Sequence, residues 1–364
     1  MIRTYTSTDK RIADRYNALP GAEDNIFHTY VWIDGSDETL RAKTRVVEKE
    51  IRSLKDVPTW HYDGSSTYQA TGENSDMLLK PVNWCRDPFF PGGKSKLIMC
   101  ETFNGSGSPS ASNLRHQLVP VAEKTLDLEP WFAFEQEYIL LGSDGRPLGF
   151  PENGFPQPQG PYYCAVGGGR ITGRDISNSH LLACRYAGLA ICGTNAEVLL
   201  GQWEYQIGPV GALDICDHLW LSRYILERVA EEYGVGVTFD PKPVIGDWNG
   251  SGNHCNFSTK PMRENGGIKE IYKAIEKLSK RHEDHMRDYD PTGGLANRRR
   301  LTGKHETASA DDFSHGEGAR TVSIRIPRPA VDDQKGWLED RRPAANCDPY
   351  AVVNRMLRTV CCDE

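Results

Sequence analysis

Residues Trp131–Leu141, WFAFEQEYILL, alternate so regularly that a β-strand is the local structure they fit. The even positions are Phe132, Phe134, Gln136, Tyr138 and Leu140, and the odd positions set Glu135 and Glu137 together on the opposite face, because side chains alternate along a strand. On a helix, residues two apart diverge and the carboxylates would not cooperate. As neighbours they repel by about 1 kcal/mol in water, or about 4 kcal/mol at an effective dielectric of about 20. The strand is therefore destabilised unless a cation sits between them.

Three further segments repeat the pattern. Gln202–Ile207 puts Glu204 and Gln206 opposite Trp203, Tyr205 and Ile207. Asn253–Thr259 sets His254, Asn256 and Ser258 against Cys255 and Phe257. Thr321–Ile326 sets Thr321, Ser323 and Arg325 against Val322, Ile324 and Ile326. Together they predict one sheet, backed by helices on its apolar side and lining a cavity on its polar side. The bland alternative, a solvated polar face, favours Thr, Lys and mixed charge. Glu135, Glu137, Glu197, Glu204 and His254 instead make an oxygen-rich set with one imidazole, suited to Mg²⁺ or Mn²⁺ rather than Zn²⁺.

Arginines crowd the last third: Arg298, Arg299, Arg300, Arg320, Arg325, Arg328, Arg341 and Arg342. Surface ion pairs account for some of them. Guanidinium forks are also the usual partners of carboxylate and phosphate. Metals held by carboxylates beside converging arginines point to phosphoryl transfer from a nucleotide. No Walker-A motif is present, and Gly167-Gly-Gly-Arg is too loose to serve as a phosphate loop.

The 364 residues suggest two domains. A helix is expected over 9–19, then short strands from 28 to 104, including a hairpin of Tyr30–Ile33 with Leu40–Val47 and strands over 78–82 and 96–103. The Gly/Ser-rich stretch from Asn104 marks a boundary. Helices follow at 111–126, 175–192, 214–233, 267–288 and 348–360, and the Gly/Pro-rich region 142–174 is too long for a mere connection. With 43 basic and 50 acidic residues the net charge is −7, which argues against nucleic acid as the main partner. Ten cysteines are present without a Cys-x-x-Cys pair, and most of them read as buried reduced thiols. The first twenty residues lack a signal-peptide core and contain Asp9 and Asp14. No apolar run is long enough to span a membrane, and the expected location is cytoplasmic.

The segment Lys242–Ser258 reads KPVIGDWNGSGNHCNFS, and it lies among the shorter motifs Tyr62–Thr67, Trp131–Glu137, Gly193–Glu197, Gln202–Pro209, Leu301–Thr307, Ser323–Arg328 and Trp337–Pro343. With these segments the chain resembles the glutamine synthetases, in their compact eukaryotic form: the first is similar to that family's nucleotide-binding signature, and the others occur in family order. Cys255 stands where that family commonly has Thr, and Leu199-Leu200-Gly replaces a Met-Pro stretch.

The resemblance implies an α+β fold: an extension over 1–24, a β-grasp domain over 25–108, and a catalytic domain over 109–364 with a curved antiparallel sheet backed by helices. It implies ATP-dependent joining of ammonia to glutamate through γ-glutamyl phosphate. Glu137, Glu197 and Glu204 would hold one Mg²⁺ or Mn²⁺ ion, and Glu135, His254 and Glu339 a second. Asn249, Gly250, His254 and Arg300 would bind glutamate, with Arg341 near its reacting end. Arg320 and Arg325 would clamp the γ-phosphate. Gln206, Pro209, Asn256, Ser258 and Trp337, with Glu135 and Glu204, would support the nucleotide. Asp63 would take the ammonium proton in a neighbouring subunit's site, and Glu306 would sit on a flap that excludes water. A shared site implies a homo-oligomer of two stacked pentamers. The alternatives are a guanidino kinase or glutamate–cysteine ligase, which have no need of Asp63 and the 300–306 segment, or an inactive relative, which would have lost ligands.

Overall fold

The computed structural model describes residues 10–90 and 92–364. The expected leading helix runs Lys10–Asn17. Residue 9 and the rest of the first segment lie outside the described residues.

Five strands follow: β1 (Ile26–Ile33), β2 (Leu40–Val47), β3 (Trp60–Asp63), β4 (Asp76–Arg86) and β5 (Lys96–Asn104). They form a sheet in the order β2-β1-β5-β4-β3, with β1 and β5 parallel. The hairpin β1–β2 pairs Ile33 with Leu40, as the turn residues between them predict. Tyr30, Trp32, Tyr62, Met77, Leu79 and Ile98 pack on one face.

The second sheet comprises β6 (Trp131–Leu141), β7 (Ile191–Ala196), β8 (Gln202–Val210), β9 (Gly236–Thr238), β10 (Asn253–Ser258), β11 (His315–Glu317), β12 (Ile324–Ile326) and β13 (Leu338–Asp340). Its order is β11-β12-β13-β10-β6-β8-β7, with β9 on β6. Every pair is antiparallel except β11–β12. The fold is therefore α+β, with a mainly antiparallel second sheet backed by helices.

Three expectations are corrected. The last polar strand is only Ile324–Ile326, because Ser323 turns into the preceding loop and exchanges backbone-to-hydroxyl hydrogen bonds with Ser314, both at 3.2 Å. The helix expected over 267–288 breaks at Arg281 into Ile268–Lys280 and His282–Asp288, and beyond the break His282 turns its buried ring onto Ala310 O at 3.0 Å. The helix expected from Asp214 starts at Ala212, with Gly211 at its N-cap. It ends as expected at Gly234, whose left-handed φ of 69° is a glycine C-cap geometry.

The helix Ala212–Tyr233 covers the apolar side of β6 and β8. There Phe132, Phe134, Tyr138, Leu140, Tyr205 and Ile207 are fully buried, each contributing about 1.5–3 kcal/mol. Gln136 is the polar intruder on that face. Its Oε1 accepts from Arg223 Nε and Nη2 at 2.9 and 2.7 Å, and Arg223 also donates to the carbonyls of Cys347 and Ala345. Arg115 ties the first sheet to the long helix, reaching Glu101 on β5 at 3.2 Å and Asp217 at 2.9 Å.

Candidate active site

The alternation that buries Phe134 and Tyr138 turns Glu135 and Glu137 to the other face, and pairing register supplies their neighbours. Glu135 lies opposite His254 on β10 and Gln206 on β8, while Glu137 lies opposite Glu204. Glu339 on β13 lies opposite Asn256 and Arg325. Four strands thus deliver four carboxylates and one imidazole to one side of the sheet. The three-residue strand carrying Glu339 is too short to show alternation in sequence.

Two triads gather ligand atoms within 4.8 Å of one another: Glu135, His254 and Glu339, and Glu137, Glu204 and His254. Glu197, just beyond β7, is not in either triad. Its carboxylate accepts from Asn195 Nδ2 at 3.0 Å and from Val198 N at 3.2 Å.

Burial and mutual repulsion act strongly on these acids. Burial, then the charge of Glu137, pushes Glu197 up to about 8. Burial pushes Glu137 up to about 7 against the pull of Arg300. Glu204 rises well above the carboxylate range through burial and the charges of Glu135, Glu197 and Glu137. Burial, then Arg341, holds His254 well below its ordinary value, leaving a neutral imidazole. A neutral imidazole is a ligand form, and a hard cation among these acids would favour the ionised carboxylates that burial and mutual repulsion disfavour, so the donor set fits Mg²⁺ or Mn²⁺.

The polar network around them is built for position. Glu137 accepts from Gly252 N at 2.7 Å and from Gln202 Nε2 at 3.3 Å. Glu135 accepts from Asn256 Nδ2 at 2.8 Å and lies 3.4 Å from His254 Nδ1. Gln206 bonds Glu204 and Asn195. Glu339, with 0% exposure, is gripped by Arg325 at 2.5 Å and Arg341 at 2.6 Å.

Of the arginine cluster, Arg300 is buried, donating to Asn297 Oδ1 at 3.0 Å and Arg341 O at 2.8 Å, with Nη2 3.5 Å from His254. A Cβ on Gly250 would lie 2.7 Å from Arg300 Cγ, and one on Gly252 would lie 2.9 Å from Arg300 Cζ, so the two glycines make room for the arginine's stem and guanidinium. Arg320 is exposed, and its carbonyl accepts from Arg341 Nε at 3.1 Å. Its charge still reaches His254. Arg298 and Arg299 form outward pairs with Asp311 and Asp240, and Arg342 is buried on Asp340, so these three take the bland reading.

Beside the carboxylates lies a cavity of 670 Å³ lined by Glu135, Gln206, Pro209, Asn256, Ser258, Arg325 and Trp337. Trp337 Nε1 donates to Asn256 Oδ1 at 3.0 Å, and Ser258 Oγ to Gly336 O at 2.5 Å. Arg325 Nε is buried without a partner, a donor left for an anionic ligand. Trp131 and Arg263 also line the cavity, the guanidinium 3.8 Å from the indole centroid. Sequence reasoning missed both roles. Trp131 stood inside a noticed strand, but nothing in sequence links it to Arg263.

Asp63 and Glu306 lie apart from the triads. Asp63 ends β3, an edge strand, and is exposed. Its carboxylate accepts from Ser65 N, Ser65 Oγ and Ser66 Oγ at 2.9, 2.7 and 2.7 Å, and these bonds bring it down to about 2. Glu306 is exposed, in left-handed backbone at φ 61°, and its carbonyl accepts from Arg341 Nη2 at 3.2 Å. Its charge contributes to the rise of Glu197. Asn249 is buried and accepts from Gln159 Nε2 at 2.5 Å.

Comparison with known proteins bears on the same region. Residues 111–286 match the family model described as glutamine synthetase, catalytic domain. The chain is 56% identical to glutamine synthetase 1, mitochondrial, of Drosophila melanogaster over 99% of this chain and 90% of that protein. It is 54% identical to the same fly's glutamine synthetase 2 cytoplasmic, over 98% of this chain and 96% of that one. Against the Homo sapiens glutamine synthetase the identity is 52%, over 98% and 95%.

Proposed function

We propose, from the premise that this chain belongs to the glutamine synthetase family and is a glutamate–ammonia ligase, that the carboxylate-lined face of the second sheet is its active site. The observation that carries this reading is the convergence of Glu135, Glu137, Glu204, His254 and Glu339 beside an arginine-rimmed cavity. Glu137, Glu197 and Glu204 would hold one Mg²⁺ or Mn²⁺ ion, and Glu135, His254 and Glu339 a second. The bound ions would supply charge neutralisation for the transferring phosphoryl group.

ATP enters the 670 Å³ cavity, its base between Trp337 and the Pro209 end of β8, with Gln206, Asn256 and Ser258 as polar supports. Arg325 Nε and Arg320 meet the γ-phosphate. Glutamate lies against Asn249, Gly250, His254 and Arg300, with Arg341 at its side-chain carboxylate. That carboxylate attacks the γ-phosphorus, and the resulting acyl phosphate carries a good leaving group. Asp63 of an adjacent copy takes a proton from ammonium, because ammonium has no lone pair. Ammonia then forms the C–N bond as phosphate departs, with Glu306 over the opening. The low basicity of Asp63 in the isolated chain fits a residue that is ionised and ready to bind a cation.

This reading also takes 25–108 and 109–364 as the two domains. It takes the assembly as two stacked pentamers, which brings the exposed β3 edge to a neighbour's sheet. Ten free cysteines fit a reducing compartment, and we place the enzyme in the cytoplasm. Among the described residues no helix is long and apolar enough to cross a membrane. The test is phosphate release dependent on ATP, glutamate and ammonium together, with Glu204→Ala alongside. Release by wild type and its loss in the variant support the assignment. Equal release by both would remove this face from the chemistry.

A further inference from the structure

The segment 301–310 folds back on itself. Thr302 and Ser309 form a bridge, and Ala310 N donates to Leu301 O at 3.1 Å. At its tip His305 and Glu306 have φ of 52° and 61°, a region that residues other than glycine rarely occupy. Backbone of this kind persists where its surroundings over-determine it.

Two sets of contacts do so here. On one side Arg341 Nη2 holds Glu306 O at 3.2 Å. On the other, the His305 ring is clasped at both nitrogens: Nε2 lies 2.7 Å from Asp247 Oδ1, and Nδ1 lies 2.6 Å from Gln159 Nε2. The partners select one tautomer. Asp247 only accepts, so Nε2 carries the proton, and Nδ1 takes an N–H from Gln159. The second N–H of Gln159 reaches Asn249 Oδ1 at 2.5 Å. A chain of three hydrogen bonds thus runs from Asp247 through the flap tip to a glutamate-site residue. Asp247 feels it, since the hydrogen bond from His305 holds its carboxyl below the usual range. None of the three latch residues lines the nucleotide cavity.

The geometry points to His305, Asp247 and Gln159 as a latch that holds the Glu306 turn over bound γ-glutamyl phosphate, so that ammonia rather than water reaches its carbonyl. They are positioning residues, and the inference rests on the roles given above to Glu306 and Asn249. In the productive step nitrogen bonds to the side-chain carbon, the C–O bond to phosphate breaks, and the spare proton goes to a carboxylate. In the leak, water oxygen bonds to the same carbon, phosphate leaves, and glutamate is regenerated at the expense of one ATP. Region 142–174, which supplies Gln159, gains a function by this account: one loop senses glutamate through Asn249 and grips the flap.

The test measures phosphate and glutamine in one reaction of the full-length enzyme, supplied with ATP, glutamate and ammonium. In wild type the two products rise in step, which checks the active-site reading separately. Asp247→Ala and His305→Ala should each release severalfold more phosphate than glutamine and lower the glutamine kcat about tenfold, the equivalent of one charge-assisted hydrogen bond. The KM for ATP should hold. His305→Gln, whose amide N–H can reach Asp247, should restore coupling. The double variant should be no leakier than the worse single, because both act through one bond. If His305→Ala fails to fold, Asp247→Ala reads the same bond from a side chain that is 76% exposed. Products that stay in step in the variants, or leaks that add in the double variant, would overturn the latch.

Discussion

Replacing Glu197 by glutamine should stabilise the metal-free protein and weaken it as a metal binder. Burial and Glu137 raise the Glu197 carboxyl from 4.5 to about 8. A carboxyl raised on folding contributes stability that is fully present below its unfolded value and lost as pH climbs through its folded one. The relevant window is therefore pH 4.5 to 8. At pH 8 the ionisation penalty on the folded state is about 4 kcal/mol, at about 1.36 kcal/mol per pH unit. Glutamine removes that penalty. It also turns an N–H toward either Asn195 Nδ2 or Val198 N, which the carboxylate now accepts from, at a cost of about 1 kcal/mol. The net gain is about 3 kcal/mol. With about 2.1 cal/mol/K per residue, the unfolding entropy of 364 residues is about 0.76 kcal/mol/K, so Tm should rise by about 4 °C. The assay is thermal unfolding in chelator at pH 8 and at pH 5, where the difference should shrink. Saturating Mn²⁺ should reverse the order, with wild type gaining more. A variant that melts at or below wild type in chelator at pH 8 would refute the claim that crowded, desolvated carboxylates are held for a cation.

Arg325→Ala should raise the KM for ATP by about tenfold, removing a charge-assisted contact, while the KM for glutamate changes far less; steady-state kinetics varying each substrate checks this. Arg223→Ala should cost about 3 kcal/mol by stranding Gln136 Oε1 and two buried carbonyls on the helix side of the sheet, yet leave kcat near wild type at low temperature. His180 is buried against Ser222 O and pushed down to about 4 by burial; stability is full above pH 6.5 and lost as pH falls toward 4, by about 3 kcal/mol. Urea midpoints over that window should flatten in His180→Gln.

The strands that frame the site were legible because an alternating strand covered on one face declares its register. Glu135 and Glu137 had to share a side once Phe134 and Tyr138 were buried. The same rule placed Glu204, His254 and Asn256. Where elements are short the signal fails: three residues at Leu338–Asp340 have no period, and Glu339 was found only through resemblance. The strand expected from Thr321 lost half its length because Ser323 found hydroxyl and backbone partners in a neighbouring loop. The break at Arg281 was hidden by continuous helical character on both sides. Pairings at long sequence separation, such as Arg263 on Trp131 and Gln159 on His305, leave no local trace at all. The helix side of the sheet was read correctly as apolar, but Gln136 there carries a buried arginine that no pattern announced.

The most direct check on the central claim is a Mn²⁺ titration of the full-length enzyme with ATP, comparing wild type with Glu204→Ala and Glu339→Ala. The account predicts two tightly bound ions per chain in wild type, with each variant losing a different one. Full occupancy retained in both variants, or a wild type that binds no ion near these side chains, would contradict it.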